Sequence, residues 1–110
     1  MQLSSDIWVY ALIRRATLGG AFATVIRRGD ARGGAVLVKT VDRRGGVARL
    51  WSQTVARDGE PLWMQPVSGT DEVSLDGYID RAAGRDPDLW VVEIEDPDGK
   101  RFLTEAVDET

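Results

Sequence analysis

Residues 21–67 read AFATVIRRGDARGGAVLVKTVDRRGGVARLWSQTVARDGEPLWMQPV, and this stretch decides the fold. Four runs rich in β-branched and aromatic residues, Ala21–Arg27, Ala35–Val41, Val47–Val55 and Leu62–Val67, alternate with short polar connections. Those connections are Gly29-Asp30-Ala31-Arg32-Gly33-Gly34, Arg43-Arg44-Gly45-Gly46 and Asp58-Gly59-Glu60-Pro61. Tight glycine-rich turns between strand-like runs predict an antiparallel meander. The Arg-Gly-Gly triplet recurs at 32–34 and 44–46, each time ahead of a strand, and reads as hairpin rhythm rather than as a duplicated domain.

Upstream, Ser4 and Ser5 offer an N-cap to a helix through Ile7, Trp8, Ala11, Leu12 and Ala16, with Gly19-Gly20 as its stop. The run Ile7 to Ile13 is apolar almost throughout, so this helix is expected to be buried on more than one side. A strand over the same residues is the alternative, and Arg14-Arg15 near the C-terminal end favours the helix. Downstream, Thr70 can cap a second helix over 71–83, in which Leu75, Tyr78, Ile79 and Ala82 form one stripe and Gly84 and Pro87 end it. Leu89–Glu95 then reads as a strand with Trp90, Val92 and Ile94 on one face and Leu89, Val91, Glu93 and Glu95 on the other. Pro97-Asp98-Gly99 turns the chain back through Arg101–Leu103 into an acidic tail that is expected to fray from about residue 105. The expectation is a single α+β domain over 1–110: an antiparallel β-meander sheet of about five strands with two helices packed on one face.

A chain of 110 residues supports one hydrophobic core. It has no His and no Cys, which removes Ser-His-Asp and Cys-His nucleophiles, thiolate chemistry, disulfides and zinc sites of the usual nitrogen–sulfur type. No cofactor, metal or catalytic residue is implied. The apolar run Ile7–Ile13 is too short to cross a bilayer and follows Asp6 instead of a basic stretch, so neither a membrane span nor a signal peptide is expected and the cytoplasm is the expected location. The net charge of −4 disfavours nucleic acid and anionic lipid. Its distribution is uneven. Residues 1–57 carry ten Arg/Lys and three Asp, whereas residues 58–110 carry four Arg/Lys and fifteen Asp/Glu. Either the halves pack together and their charges cancel, or one pole meets a partner or a second copy.

Arg27, Arg28, Arg43 and Arg44 are the candidate ligand-binding residues, for a small anion or a nucleotide. In a meander the two pairs fall at opposite ends of the sheet, so they form separate basic ends and no groove. Trp51 and Trp63 flank one connection and are candidate interface anchors should they project from one sheet face. Lys39 and Glu93 each interrupt an apolar strand. They face solvent, or form a cross-strand ion pair, or place a lysine of lowered pKa in a cleft. Asp96, Asp98, Gly99 and Glu105 match part of a calcium-loop pattern, but Ile94 occupies its first ligand position and the flanks read as strands, so a hairpin turn is the better reading. Arg28-Gly29-Asp30 is a chance adhesion tripeptide.

Three stretches carry a resemblance to a known family. They are Asp6-Ile7-Trp8-Val9 through Ala11-Leu12-Ile13-Arg14-Arg15, Gly20-Ala21-Phe22-Ala23 with Arg27-Arg28-Gly29-Asp30, and Asp86-Pro87-Asp88-Leu89-Trp90-Val91-Val92-Glu93. Together they resemble domain-of-unknown-function family 1491, small proteins of alphaproteobacteria, over essentially the whole chain. The resemblance implies a bacterial, cytoplasmic protein and brings no activity, ligand or catalytic residue. Three functions follow as expectations: a non-enzymatic protein-interaction or homodimerisation module, an anion- or nucleotide-binding domain built on the hairpin arginines, and a histidine-free enzyme using Lys39, Glu93 or another carboxylate.

Overall fold

The computed structural model describes residues 3–107. Its elements run α1 (Ser5–Leu18), β1 (Phe22–Arg27), β2 (Val36–Asp42), β3 (Ala48–Val55), β4 (Pro61–Met64), α2 (Glu72–Arg85), β5 (Trp90–Asp96) and β6 (Ala106–Val107). The fold is α+β, and the strands form one sheet in the order β1-β5-β2-β3-β4-β6. Hairpin chemistry delivers the β2-β3-β4 meander, antiparallel throughout. The meander does not extend to β1. Strand β5 enters between β1 and β2, antiparallel to the first and parallel to the second, which makes the sheet mixed. Strand β6 adds a further parallel pair beside β4.

The helices lie on opposite faces, not on one. Alternation along the strands sorts the side chains: Val36, Val38, Trp51, Trp63, Trp90, Val92 and Ile94 pack with Trp8, Val9, Leu12 and Ala16 of α1. Leu37, Leu50, Leu89 and Val91 pack with Leu75 of α2 and with Tyr78 and Ile79. Central strands β2 and β5 are therefore buried on both sides, as their unbroken apolar runs require. The cap of α2 is Asp71, whose carboxylate accepts the Ser74 backbone N–H at 2.8 Å, one residue later than Thr70. The helix also runs through Gly84 to Arg85.

The connection 29–34 works as a clasp between α1 and β5. Its Arg32 and Ala31 carbonyls accept the Ser5 and Asp6 N–H groups, satisfying donors at the start of α1, whose N-cap Ser4 makes no side-chain cap bond. Ser5 Oγ donates to the Gly34 carbonyl at 2.6 Å, and Trp90 Nε1 donates to the Asp30 carbonyl at 2.7 Å. This closeness leaves no space for side chains at Gly29 or Gly34, where a Cβ would collide with the Asp88 carbonyl oxygen and the Trp90 ring. The second glycine turn is looser, and Gly46 is needed there for its positive φ of 69°.

The tail departs from the expected fraying. No strand forms over Arg101–Leu103; the segment instead crosses the α1 side of the sheet, with Phe102 and Leu103 against the core. Phe102 sits at φ 63°, a left-handed conformation disfavoured for a bulky residue, and its carbonyl accepts both Nε and Nη2 of Arg15. Glu105 then reaches the stacked pair Trp8–Trp63, whose rings lie 5.3 Å apart, and accepts one indole N–H on each oxygen, at 3.0 and 3.1 Å. Residues 108–110 of the tail lie outside the described residues.

Asp96 Oδ2 accepts the N–H groups of Asp98 and Lys100, so it holds a turn in the place where the calcium pattern put a ligand. Burial by itself would raise the Glu105 carboxyl, but the two indole bonds and the Arg15 charge outweigh it and hold the group below its ordinary value of 4.5. A lowered folded value means that this contribution is present above pH 4.5 and disappears as pH falls through the folded value.

Two outcomes are expected. Gly34→Ala should lose about 1–3 kcal/mol in urea denaturation, because the Asp88 carbonyl cannot yield without opening the clasp. Glu105→Ala should cost about 1–3 kcal/mol by leaving two indole donors unmet, and Glu105→Gln should flatten the acid loss of stability followed by tryptophan fluorescence.

Candidate functional site

The chemistry-bearing residues that the fold brings together lie on the α2 side of the sheet. Lys39 on β2 is in direct register with Glu93 on β5, and both side chains point toward α2. Helix α2 presents Glu72 and Asp76 one turn apart, so both carboxylates reach the same ammonium. Lys39 Nζ lies 2.7 Å from Glu72, 3.0 Å from Asp76 and 3.3 Å from Glu93. The lysine is buried, with 5% of its surface exposed, while Glu72 and Asp76 stand half in solvent. Of the three sequence-level readings for Lys39 and Glu93, the cross-strand ion pair is the observed one.

The electrostatics remove the lowered-pKa reading. Burial by itself pulls the Lys39 value down, but the bonds to Glu72 and Asp76 and the Glu93 charge more than reverse it, and the group is held above its usual value. A raised folded value means that the cage's contribution is complete at neutral pH and is lost only as pH rises through that value. The cage therefore favours the charged ammonium over the free amine.

Beside the cage opens a groove of about 390 Å³. Its floor is Lys39, Val91 and Glu93, and its walls are Asp76, Ile79 and Asp80 of α2 and Ile26 of β1. Strand β1 ends the sheet, and no described strand lies on its outer side. Its even-numbered residues pair across β5 with Glu95 (Phe22) and Glu93 (Thr24), so they share the α2 face. Helix α2 does not cover them. Phe22 is 61% and Ile26 55% exposed. Ile26 falls at an irregularity in the β1–β5 register between Val25 and Arg27. The arrangement sets the apolar side chains of Ile26, Ile79 and Val91 beside the carboxylates of Asp76, Asp80 and Glu93.

A family model described as protein of unknown function (DUF1491) matches residues 3–104. The chain belongs to the DUF1491 family. It is 69% identical to a DUF1491 protein of Caulobacter crescentus CB15 seen by crystallography, with a TM-score of 0.94 over 96% of this chain and 99% of that one. An NMR structure of a DUF1491 protein from the same organism is 68% identical, with a TM-score of 0.91 over 99% of each chain. Protein Atu0922 of A. tumefaciens, solved in solution, shares 29% identity and a TM-score of 0.81 over 100% of this chain and 99% of that one. No curated protein matches.

In this family member the four arginines stay apart. Arg27 donates to the Pro87 and Leu89 carbonyls and is taken up by the clasp. Arg28 is exposed at the same end of the sheet. Arg43 and Arg44 lie at the opposite end, where the Arg43 N–H bonds the Asp96 carbonyl and Arg44 pairs with Asp98 at 3.2 Å on the surface. Trp51 and Trp63 do project from one sheet face, but inward: they are 1% and 0% exposed, and their indole N–H groups bond Thr40 and Glu105. As free interface anchors they are corrected, because α1 and the returning tail cover them. The sequence did not mark Phe22, Ile26, Glu72, Asp76 or Asp80 as site residues. The one-turn spacing of Glu72 and Asp76 was the available signal.

The chain has two lysines, Lys39 and Lys100. Acylation at mildly alkaline pH should modify Lys100 and spare Lys39, as read by peptide mass spectrometry. Lys39→Met should cost about 3 kcal/mol, since three carboxylates lose their shared cation.

Proposed function

We propose that this DUF1491 protein is a small, non-enzymatic, cytoplasmic bacterial interaction module that meets its partner along strand β1. The observation that carries this reading is the exposed apolar pair Phe22 and Ile26 on an edge strand that has no strand on its outer side among the described residues. Unpaired edges are liabilities that folds usually blunt with charge, proline or a covering element. Along Phe22–Arg27 the only charge is the terminal arginine, and its guanidinium is engaged by the Pro87 and Leu89 carbonyls. At the other edge β6 is only two residues long, and the adjoining Glu105 is bonded to the core. The three carboxylates that close around Lys39 and favour its charged form support a structural use of the cage. The two arginine pairs lie at opposite ends of the sheet, which disfavours one shared anion site built from all four. No helix among the described residues is long and apolar enough to cross a membrane.

A photo-crosslinking residue placed at Phe22 should give a discrete crosslinked species in living cells, whereas one at the still more exposed Val73 on α2 should not. Mass measurement separates a partner from a second copy. Equal yields at the two positions, or none at Phe22, would contradict the reading.

A further inference from the structure

We infer that the occupant of the β1 edge is an extended segment of another protein carrying arginine or lysine at alternate positions, which adds to the sheet as a strand; this rests on the β1 reading above. A strand added beside β1 lies one strand spacing, about 4.8 Å, from it and about twice that from β5. Alternate side chains of such a segment look onto the α2 face, opposite Phe22, Thr24 and Ile26. The surface they meet is apolar nearby and acidic beyond. Phe22 and Ile26 supply the apolar part. Glu95 lies across β5 from Phe22, Glu93 lies across from Thr24, and Asp76 and Asp80 border the groove beside Ile26.

Glu72, Asp76 and Glu93 surround Lys39, Asp80 lines the same groove, and Glu95 lies on the same face of β5, so carboxylates outnumber the lysine on this face. Long basic side chains match this layout, because their methylene stems lie along apolar surface while the charged head reaches on to a carboxylate. Exposed Arg28 at the far end of β1 repels a cation there. The basic positions therefore belong opposite Phe22 and Thr24.

Charge also decides against a second copy. Two copies paired antiparallel with matching sheet faces, in the register centred on Thr24, set Thr24 against Thr24 and Phe22 against Ile26. That pairing sets no cation directly opposite Phe22, Thr24 or Ile26. A foreign basic strand supplies both the backbone partners and the missing charge, the mode by which edge strands recognise peptides.

The test uses the full chain, isotope-labelled, with a short peptide alternating valine and arginine and a companion alternating valine and glutamine. NMR titration should shift the amides of Phe22–Ile26 with the arginine peptide and bind it about tenfold more tightly than the glutamine peptide, the equivalent of two or three exposed ion pairs. Added salt should narrow the difference. The double variant Asp80→Asn/Glu95→Gln leaves the Lys39 cage intact and should remove most of the preference. A proline at the centre of the arginine peptide should abolish binding by deleting a backbone donor.

Equal affinity for both peptides at β1 overturns the charge inference while the edge reading stands. Shifts confined to surfaces other than β1, or no shifts with either peptide, overturn both. A dimer in sedimentation that Phe22→Glu dissociates also overturns the inference, since the copy would then be the occupant.

Discussion

The pairing of Lys39 with Glu93 across the parallel strands β2 and β5 is the constraint on which the rest of the molecule depends. Both strands are apolar on two faces, so their burial alone tolerates more than one alignment. The charges do not. A slip of one residue would turn Glu93 toward the tryptophan layer under α1, where no cation waits for it, and would leave Lys39 without its nearest strand partner. Burying an unpaired charge costs several kcal/mol, which is enough to select one register in a domain of this size.

From that pair the placement of α2 follows. Glu72 and Asp76 tie the helix to the ammonium from above, and Leu75 lies between them in sequence and is fully buried. The helix is thereby held over the β2–β3 side of the sheet, and its near wall, Asp76 and Asp80, stops short of β1. The two edges of the sheet then differ in kind. On one, the returning tail adds β6 and places Glu105 between Trp8 and Trp63. On the other, β1 keeps its outer backbone groups and two large apolar side chains free of any described cover. The charge imbalance between the chain's halves has the same origin. The acids of the second half supply the cage and the groove wall, and more of them are present than Lys39 alone can neutralise.

Much of the fold was legible because local signals were strong. Helical spacing marked α1 and α2, and alternation marked the Trp90, Val92 and Ile94 face of β5. Turn chemistry marked the β2-β3-β4 meander. What failed was non-local. Nothing near residues 90–96 says that β5 will insert between β1 and β2 rather than extend the meander. A clue to the helix placement was present, however. Runs such as Val36-Leu37-Val38 and Trp90-Val91-Val92 are apolar at every position, the mark of strands covered on both sides, and they contradict a sheet with helices on one face only. The site was half legible. Lys39 and Glu93 stood out as charges in apolar strands, but their partners on α2 looked like ordinary solvated acids. The arginines and tryptophans drew notice by type, and the structure uses Arg27 and all four indoles for architecture.

The most direct test is residue-resolved amide hydrogen exchange on the isolated protein. With β1 as an open edge, protection along Phe22–Arg27 should alternate, slow where an N–H bonds β5 and fast where it faces outward, while β2 and β5 are protected throughout. Uniform protection of every β1 amide would mean that something already occupies that edge, and the account would be wrong.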